Sequence, residues 1–590
     1  TDRANLKSFL LNFSGLKSPL QEYDYVIIGA GSAGCVLASR LTENPNITVL
    51  LIEAGRPEMT LVTDVPSIAP YFQGTDYAWQ YYMEPQPGVC LGMINRRCFW
   101  PRGRAVGGTS VINYMIYTRG RSQEWDRIAA AGNYGWSYKE VLEYYKISER
   151  ARLDGLEFSP YRGRNGELSV ELVNVRTPLV EAFLEAGRIL GQPTIDYNRP
   201  EELGFGYVQT TIRNGRRMSA ARAFLHQNKR RPNLHILPRA TATKILIKRQ
   251  TKTAYGVQYV RNRLKYKVRA RREVIVSAGP IASPQLLMLS GIGPSDQLSQ
   301  HGIPLVQQLP VGKTLYDHIT FPAVVFTLNT TGIAFNENRD ANIENVIQYI
   351  RYGDNVAATP GAVEGIGYIK TPLSSDEEGI PDIELISIGG SILSDGGPTG
   401  SKSVRRGMRV SDRVFDSIFG PVDNTDAWSA FPMLLHPRSV GSIELKNNNP
   451  FSHPRMYGNY LTDPLDVATF VASIRYLQAL AATEPFQRFG AKIYPGQYPT
   501  CRNAVFDSDE FWECAVRTFT ATLHHQIATC RMGPEGDPLA VVDPELRVHG
   551  VNRLRVVDSS IIPRTVSAHT NAPAIMIGEK AADMIKSTWR

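Results

Sequence analysis

Three glycines, Gly29, Gly31 and Gly34, follow a short apolar run at residues 25–28 and open a helical pattern. In that setting, the spacing G-x-G-x-x-G is typical of a turn that binds the phosphates of a dinucleotide. The first glycine allows the tight turn, the second lets the backbone approach the pyrophosphate, and the third lets the helix pack on the strand. The amide groups at the start of the helix would supply partial positive charge. The sequence therefore predicts a dinucleotide site.

A second apolar run at residues 47–52 ends at Glu53, 19 residues after the last of these glycines. At this distance an acidic side chain can accept hydrogen bonds from a ribose. Ser32 and Ala33 inside the glycine turn, and Ala54 after the acidic residue, are predicted to line the same site. These residues alone do not distinguish FAD from NAD.

Histidines also stand out, because their ring can take or give a proton near neutral pH. The chain has ten, and two of them, His524 and His525, are adjacent. Neighbouring side chains of an extended segment point to opposite sides, so we expect one of this pair to face a site and the other to point away. Spacing alone does not choose between them. A base beside a redox cofactor would suit oxidation of an alcohol by hydride transfer.

Other kinds of site are not predicted. The histidines show no H-x-H or H-E-x-x-H spacing, so we expect no metal site. The cysteines form no C-x-x-C pair, which argues against a zinc ribbon or a thioredoxin-like site. No G-x-S-x-G elbow follows a strand, so a Ser-His-Asp hydrolase is not expected.

The apolar pattern indicates the elements that would position these residues. Residues 25–52 predict a strand–helix–strand unit. Alternating segments between residues 233 and 277 predict an antiparallel meander that ends in a buried strand at Val274–Val276. The pattern of residues 311–430 mixes strand signals with glycine-rich loops and does not resolve their organisation. The other predicted elements are a helix at 464–483, a strand at 554–557 and a helix at about 572–586.

The 590-residue chain has 43% hydrophobic and 21% charged residues, the balance of a folded globular protein. Its net charge of +9 is uneven. Residues 211–272 hold 19 Lys and Arg and no Asp or Glu, which leaves 46 of the 65 basic residues against all 56 acidic ones elsewhere. Basic and apolar residues alternate there, so we interpret the segment as the solvated face of the meander. A polyanion-binding groove is the alternative, and its affinity for the polyanion would fall steeply as the salt concentration rises.

The uncharged run at 274–295 is broken by prolines, so no membrane span is predicted.

Cysteines and glycosylation sequons bear on the compartment. Two cysteine pairs could each close a short loop: Cys90 with Cys98, and Cys501 with Cys514. The other two, Cys35 and Cys530, are expected to be free thiols. Two disulfides would fit a secreted protein, and six reduced thiols are the alternative. The sequons that could carry N-glycans are at Asn12, Asn46 and Asn329. Because the chain begins at Thr1 rather than Met, we expect it to have been processed or trimmed.

Two longer motifs resemble the signatures of a known family. The first, GRAVGGTSVIN, runs from Gly103 to Asn113 and continues through Tyr117 and Gly120. The second, GPIASP, begins at Gly279 and continues to SGIG. Both are similar to the signatures of the glucose–methanol–choline (GMC) flavoprotein oxidoreductases, and the likeness extends from about residue 23 to the C-terminus. The segment CFWPRG is similar to the secreted arthropod branch that contains glucose dehydrogenases, salicyl alcohol oxidases and mandelonitrile oxidases.

The resemblance implies an α/β fold in which a Rossmann-type FAD-binding domain is interleaved with an α+β substrate domain built on an antiparallel sheet, the GMC fold. The implied divisions are a lead-in at 1–19, an FAD-binding domain at 20–165, 211–310 and 535–590, and a substrate-binding domain at 166–210 and 311–534. It also implies a noncovalent FAD, because members that bond the flavin covalently place a histidine where this chain has Ile112. The implied cofactor contacts outside the glycine turn are Val106, Thr109, Asn113, Met115, Ala242, Asp558, Ser559 and Asn571.

The segment LHHQIATCRMG resembles the catalytic-histidine motif of the family and aligns His525 with the base. The segment VSAHTN resembles a second motif and aligns His569 with a residue that orients the substrate oxygen and stabilises developing alkoxide charge. Ala528 stands where the family usually has Gly, so its methyl group could narrow the pocket or shift the loop. His318, in the family-like stretch LYDH, is interpreted as structural.

The implied activity is oxidation of an alcohol to a carbonyl by hydride transfer to the flavin N5, with O2 as the acceptor and H2O2 as the product. A quinone-dependent dehydrogenase, for example acting on a sugar, and a hydroxynitrile lyase with a redox-idle FAD are the alternatives. The predicted partner is a small-molecule alcohol, such as an aromatic alcohol or cyanohydrin, with no nucleic acid and no membrane. Six aromatic residues could line an apolar pocket, and core packing is the alternative for them: Tyr71, Phe72, Tyr77, Trp79, Tyr81 and Tyr82.

Overall fold

The computed structural model describes residues 19–156, 158–200, 203–376, 378–396 and 402–590. The glycine turn follows the carboxyl end of strand Glu22–Ile28, which lies inside a largely parallel sheet. Strand Glu22–Ile28 pairs in parallel with Val49–Ile52 on one side and with Leu264–Val276 on the other. Helix Ser32–Leu41 connects the first two strands. The predicted strand–helix–strand unit is confirmed. Across the sheet the strands are Leu234–Leu237, Val49–Ile52, Glu22–Ile28, Leu264–Val276, Thr253–Arg261 and Ala240–Lys248, and Leu554–Val556 also pairs with Leu264–Val276.

Strand Leu264–Val276 belongs to two parts of this sheet. Its first half pairs antiparallel with Thr253–Arg261, and its second half pairs in parallel with Glu22–Ile28 and Leu554–Val556. The predicted antiparallel meander is confirmed, and its last strand and the predicted buried strand are one continuous strand of 13 residues. The basic side chains exposed on it are those of Lys265, Lys267, Arg269 and Arg271, as predicted for a solvated face.

A second, antiparallel sheet is built around strand Ile383–Ile388, which pairs with Val363–Ile369 and Ala427–Leu434. All residues of Ile383–Ile388 and Val363–Ile369 are buried. Strands buried on both faces lack the alternation that marks a half-exposed strand, which is why the sequence pattern did not resolve residues 311–430. The remaining strands of this sheet are Phe205–Tyr207, Ile319–Thr320, Phe326–Thr327, Lys492–Ile493 and Ala521–Thr522.

Two long helices match the predicted ones closely. Pro464–Ala481 begins after Asp463, whose side chain caps the helix, with proline at the first helical position. Asn571–Thr588 packs against Ser32–Leu41, and a Cβ on its Gly578 would lie 2.9 Å from the nearest backbone oxygen of that helix. This close approach brings Asn571 to the glycine turn. The other α-helices are Thr60–Thr63, Ala69–Gln73, Ser122–Ala130, Tyr138–Ser148, Pro178–Ile189, Gly279–Leu289, Ser295–Gln300, Glu337–Asp340, Ile343–Tyr352, Ser403–Met408, Asp412–Phe419, Glu484–Gln487 and Asp509–Phe519.

The cysteines pair as the sequence predicts: Cys90 with Cys98 and Cys501 with Cys514 form disulfides, and Cys35 and Cys530 are free and buried. Two of the sequon asparagines, Asn46 and Asn329, are exposed, and Asn12 lies outside the described residues. None of the helices in the described part of the chain is both long enough and apolar enough to cross a membrane.

Candidate active site

The glycine turn has the backbone geometry that a dinucleotide site requires. Gly29 has a φ of +103°, a left-handed conformation that favours glycine. A Cβ on Gly34 would collide with the carbonyl oxygen of Gly29, so the helix can pack on the strand only with glycine there. Gly31 has open space where its Cβ would point. The second glycine therefore leaves room for a group that is not part of the chain.

The carboxylate of Glu53 ties this turn to the neighbouring strand. Its Oε2 accepts the N–H of Ala30 at 2.9 Å, and its Oε1 accepts the N–H of Gly55 at 2.6 Å. The side chain is buried, and burial raises its pKa to about 7. Glu53 thus fixes the backbone of the turn, and its remaining lone pairs can accept hydrogen bonds from ribose hydroxyls.

The first signature segment lies directly on the glycine turn. The N–H of Gly107 donates to the carbonyl oxygen of Ala30 at 2.7 Å. Gly108, with a φ of +56°, is so close that a Cβ on it would lie 2.6 Å from the Cα of Gly31. The two glycine-rich motifs therefore form one wall, although about 70 residues separate them in the chain.

A buried arginine holds the end of the first signature. Nη1 of Arg217 donates to the side-chain oxygen of Asn113 at 2.8 Å and to its carbonyl oxygen at 2.6 Å, and Nε donates to the carbonyl oxygen of Thr63 at 2.9 Å. Arg217 is fully buried, and burial lowers its pKa to about 9. It belongs to the basic segment 211–272, so the interpretation of that segment as a solvated face is wrong for this side chain.

Asp558 holds the second signature. Its Oδ2 accepts the N–H of Gly279 at 2.9 Å and the hydroxyl of Ser283 at 2.6 Å, and its Oδ1 accepts the N–H of Ser560 at 2.8 Å. Gly279 has a φ of +85° and open space at its Cβ position. The second signature therefore adds another open glycine to the site, fixed by a carboxylate.

On the far side of the glycine turn, the N–H of Ala240 donates to the carbonyl oxygen of Glu53 at 2.8 Å. This contact brings strand Ala240–Lys248 next to the end of Val49–Ile52, where two of the predicted cofactor contacts lie. Ala54 and Ala242 are both half-buried there.

One cavity of about 1020 Å³ joins the glycine turn and the first signature to the histidines. At its edge the hydroxyl of Ser32 donates to the side-chain oxygen of Asn571 at 2.7 Å. The predicted site residues in its wall are Ser32, Thr109, Asn113, Met115, His525, Ser559, His569 and Asn571. The other predicted site residues do not line this cavity. They lie in the glycine turn, or in segments that hydrogen-bond to the turn or to a signature: Gly29, Gly31, Ala33, Gly34, Glu53, Ala54, Val106, Ala242 and Asp558.

A buried carboxylate positions the histidine segment. Oδ1 of Asp317 accepts the backbone N–H of His525 at 2.9 Å. Its Oδ2 accepts the hydroxyl of Thr522 at 2.6 Å, the amide of Gln526 at 2.8 Å and the hydroxyl of Tyr460. Burial outweighs these bonds and raises the pKa of Asp317 to about 6. The turn that carries His525 is therefore fixed at both ends by one side chain.

The ring of His525 lies between two other histidines. Its Nδ1 is 3.1 Å from Nδ1 of His318, and its ring centroid is 4.7 Å from that of His569. Burial, together with the neighbouring His569, lowers the pKa of His525 well below its usual range. A neutral ring of this kind can accept a proton from a substrate.

The expectation that one of the two adjacent histidines points away is wrong. Both line the cavity, because His524 has a φ of +65° and the segment turns instead of running extended. Arg102 donates to the carbonyl oxygen of His524. Nδ1 of His524 is buried and bonds to nothing among the described residues, and burial lowers its pKa to about 3. Of the two, it is His525 whose ring contacts His569.

His569 has a different electrostatic environment. Its Nε2 lies 2.9 Å from Oε1 of Glu384, which is fully buried. Its backbone N–H donates to the hydroxyl of Thr118 at 2.6 Å. The loop before it is fixed by Glu124, whose carboxylate accepts both the N–H and the hydroxyl of Ser567. One histidine of the pair thus has a carboxylate partner, and the other has a neutral histidine.

Comparison with known proteins agrees with this arrangement. Two protein-family models, both described as GMC oxidoreductase, match residues 23–320 and 437–578, which together are most of the chain. The chain belongs to the GMC oxidoreductase family.

Similar proteins cover nearly all of this GMC oxidoreductase. Glucose dehydrogenase (FAD, quinone) of Drosophila melanogaster is 40% identical over 580 residues, 97% of this chain and 88% of the relative. Formate oxidase of Aspergillus oryzae RIB40 has a TM-score of 0.82 at 26% identity, covering 97% of this chain and 99% of the other. Pyridoxine 4-oxidase of Mesorbium loti has a TM-score of 0.78 at 27% identity, covering 95% and 98%.

FAD is the cofactor of this family, and the residues present fit it. The open Cβ positions at Gly31 and Gly279, and the helix N-terminus at Ser32, form a cradle for a pyrophosphate. Ile112, which lines the cavity, has no nucleophilic atom for a covalent link. Within the described ranges, no group of three or more His, Cys, Asp or Glu side chains is arranged to hold a metal ion.

Ala528 differs from the family pattern, and its conformation explains the preference for glycine. It has a φ of +67°, in the left-handed region that disfavours a side chain. The residue is buried and does not belong to the cavity wall. The methyl group therefore does not narrow the cavity.

The predicted aromatic pocket is wrong for five of its six residues. Only Tyr71 lines the cavity, whereas Phe72, Tyr77, Trp79, Tyr81 and Tyr82 are outside its wall. The strand that contains Trp79 pairs instead with Phe99–Gly103. The apolar wall comes from the antiparallel sheet and the segments beside it: Tyr114, Ile116, Ile386, Ile388, Phe431 and Leu523.

Sequence reasoning missed several residues that position the site: Arg102, Asp317, Arg217 and Glu384. A signal existed for Glu384, which is an acid inside the otherwise apolar strand IELISI, and acids are rarely buried without a partner. For Asp317 the signal was the family-like stretch LYDH, from which only the histidine was considered.

We predict that Gly31→Val folds but does not retain FAD. Apart from its chain neighbours, no atom of the described residues lies within 4 Å of a Cβ at this position, so a valine would occupy the cofactor's space and not the protein's. The flavin absorbance per protein should fall to near zero, and the thermal midpoint should equal that of deflavinated wild type. Gly420→Val is the control, because Gly420 also has a negative φ and only a distant neighbour, at 3.9 Å. A yellow, fully loaded Gly31→Val protein would show that the cofactor does not occupy this cradle.

Proposed function

We propose that this GMC oxidoreductase oxidises a small apolar alcohol to its carbonyl compound, with His525 as the base and oxygen as the final acceptor. The observation that carries the proposal is the pair His525 and His569 at one end of the cavity, beside an apolar wall. Bound FAD supplies the hydride acceptor and passes the electrons on.

His525 takes the proton of the substrate hydroxyl. Its Nδ1 is engaged by His318, which leaves Nε2 for the substrate. The low pKa of the buried ring means that it is neutral before reaction, as a base must be. The segment that carries it is fixed by Asp317, so the ring does not have to be reoriented for the reaction.

His569 holds the substrate oxygen. Nε2 of His569 bonds to the carboxylate of Glu384, which leaves Nδ1 for the substrate oxygen. With a proton on both nitrogens, the ring donates Nδ1–H to the developing alkoxide. After burial, the neighbouring His569 is the next cause of the lowered pKa of His525, because two adjacent rings disfavour two positive charges. The two histidines thus divide the roles of acid and base through their environments.

The wall of the cavity supports an apolar substrate. Ile386 and Phe431 pair across two strands and line the cavity on the same sheet as Glu384. Leu523 adds an apolar side chain next to the histidines. A polyhydroxylated sugar would need hydrogen-bond partners for each buried hydroxyl, and side chains of this kind supply none. A benzylic alcohol or an aromatic cyanohydrin matches this wall.

Two features bear on the electron acceptor. After His525 has taken the proton, an imidazolium next to the cofactor would stabilise the negative charge that develops as oxygen is reduced. The 40% identical relative is named a glucose dehydrogenase that uses quinone, which makes quinone the second candidate acceptor.

The alternative activity, that of a hydroxynitrile lyase, would leave the flavin oxidised throughout the reaction.

We also propose that the protein is secreted. Two disulfides support this, because disulfides persist in oxidising compartments. Asn46 and Asn329 are exposed and accessible to N-glycosylation.

We predict that benzyl alcohol and mandelonitrile give a kcat/KM at least about 100-fold higher than glucose does, since polar hydroxyls buried without partners are costly. The measurement is peroxide release in air, with a soluble quinone under anaerobic conditions as the parallel assay. Peroxide formation at a rate equal to substrate consumption is expected. Preference for glucose, or turnover with quinone alone, would contradict the proposed substrate or the proposed acceptor, respectively.

For His525→Ala we expect the rate constant of flavin reduction to fall by about 10²–10⁴-fold, the usual contribution of a general base. His524→Ala should cost less than about tenfold, because the ring of His524 does not contact His569. Flavin content of both variants is measured first, and reduction is then followed anaerobically. The reverse order of the two losses would assign the base to His524.

The rate constant of flavin reduction should stay level as the pH is lowered through about 6.5, the ordinary pKa of histidine. The pKa of His525 is lowered, so its neutral, reactive form is present above that low value and is lost only below it. Anaerobic reduction measured across the neutral and mildly acidic range provides the check. A loss of rate centred near 6.5 would mean that the base has an ordinary pKa.

A further inference from the structure

His318 is buried against His525, yet nothing in the proposed reaction requires it to be a histidine. The two Nδ1 atoms are 3.1 Å apart, and the rings meet edge to face at 87°. The adjacent strand Ile319–Thr320 pairs with Ala427–Leu434 on one side and with Ala521–Thr522 on the other. The backbone that carries His318 is therefore held from both sides, and its ring contact with His525 is part of the packed core.

A hydrogen bond between two ring nitrogens needs one donor and one acceptor, so its direction fixes the tautomer of both rings. Burial lowers the pKa of His318 to about 3, so this ring is neutral and carries one proton. A proton on Nδ1 of His318 would point at His525 and force the proton of His525 onto Nε2. In that tautomer, His525 could not accept a proton from the substrate at Nε2.

The surroundings of His318 favour the opposite direction. Ile319 pairs with Leu434, so the next residues, His318 and Leu435, stand opposite each other. The carbonyl of Leu435 lies near this ring and favours its protonated form. Nδ1 is occupied by His525, so Nε2 is the nitrogen whose proton this carbonyl can attract. Nε2 is buried and forms no hydrogen bond in the part of the chain that the structure describes, so this carbonyl attracts its proton across more than hydrogen-bond distance.

We propose that His318 is a positioning residue that holds His525 in the tautomer with Nδ1 protonated and Nε2 free. In this arrangement Nδ1–H of His525 donates to Nδ1 of His318, and the proton of His318 is on Nε2, where the carbonyl of Leu435 attracts it. In the reaction, the substrate proton moves to Nε2 of His525 and no proton passes to His318. The imidazolium that forms keeps its hydrogen bond to His318, which stabilises it. This inference rests on the proposed function, in which His525 is the base.

Neutron crystallography of the oxidised wild-type holoenzyme tests the tautomers directly. We expect deuterium on Nδ1 of His525 and on Nε2 of His318, with none on Nε2 of His525. Deuterium on Nδ1 of His318, donated to His525, would overturn the inference. Because this measurement needs no substrate, it remains decisive even if no alcohol reduces the flavin, an outcome that would instead sink the proposed function.

Variants of His318 test the consequence for the reaction. His318→Leu removes the acceptor, whereas His318→Asn keeps an oxygen near the position of Nδ1. We expect the leucine variant to lose at least about 100-fold in the rate constant of anaerobic flavin reduction, because an imidazole in the wrong tautomer is a poor base. Its dissociation constant for the alcohol should stay close to that of wild type. The asparagine variant should recover most of the lost rate.

His301→Leu is the matched control, since it removes a histidine that bonds a backbone carbonyl, that of Leu445, away from the site. Its rate constant should equal that of wild type. A His318→Leu protein that is reduced at the wild-type rate would overturn the inference. Equal losses in the leucine and asparagine variants would also overturn it, since they would indicate packing and not the acceptor. If the leucine variant does not bind FAD, the neutron measurement on wild type decides.

Discussion

The hydrogen bonds that converge on the carboxylate of Asp317 are the constraint on which the histidine site depends. They connect the start of strand Ile319–Thr320 to the turn that carries His525, and they add Tyr460 from a distant part of the chain. Burial raises the pKa of this carboxylate to about 6, so the ionised form is less favourable in the folded protein than in water, and stability falls as the pH rises from about 4 to about 6. Ionisation of this buried carboxylate at neutral pH therefore destabilises the folded protein, while its hydrogen bonds hold a turn in which His524 has a positive φ. Without that turn, the two adjacent histidines could not both face the cavity.

Around this constraint, charge is distributed so that one histidine is a base and the other a donor. His525 has a neutral histidine as its ring partner, whereas His569 has the carboxylate of Glu384. Arg102, half-buried in the cavity wall, also helps to keep His525 neutral. Because these groups are buried and much of the surrounding wall is apolar, each charge acts more strongly than it would in solvent. The different roles of His525 and His569 therefore follow from their hydrogen-bond partners, because the two imidazole rings are chemically the same.

The parts of this arrangement that follow from local sequence could be predicted, and the parts made by distant contacts could not. The glycine turn, the meander and the terminal helix have short-range patterns, so their elements were correct to within a few residues. Motif resemblance found His525 and His569, and the structure brings them together across more than 40 residues. Glu384 and Arg217 act through contacts with residues that lie more than 100 positions away, and no local pattern marks such a pairing. The aromatic stretch failed for a related reason, because an aromatic residue packs equally well in a core or in a pocket wall, and only the fold decides which.

The proposed mechanism depends on one step, in which the substrate C–H bond is broken by hydride transfer while His525 takes the hydroxyl proton. A single anaerobic turnover of the holoenzyme with benzyl alcohol, either unlabelled or deuterated at the benzylic carbon, isolates this step. We expect the yellow flavin to be bleached in both cases, more slowly with the deuterated alcohol, and one benzaldehyde to form per flavin. A flavin that stays oxidised, or bleaching at the same rate with both alcohols and an enzyme saturated with substrate, would contradict the mechanism.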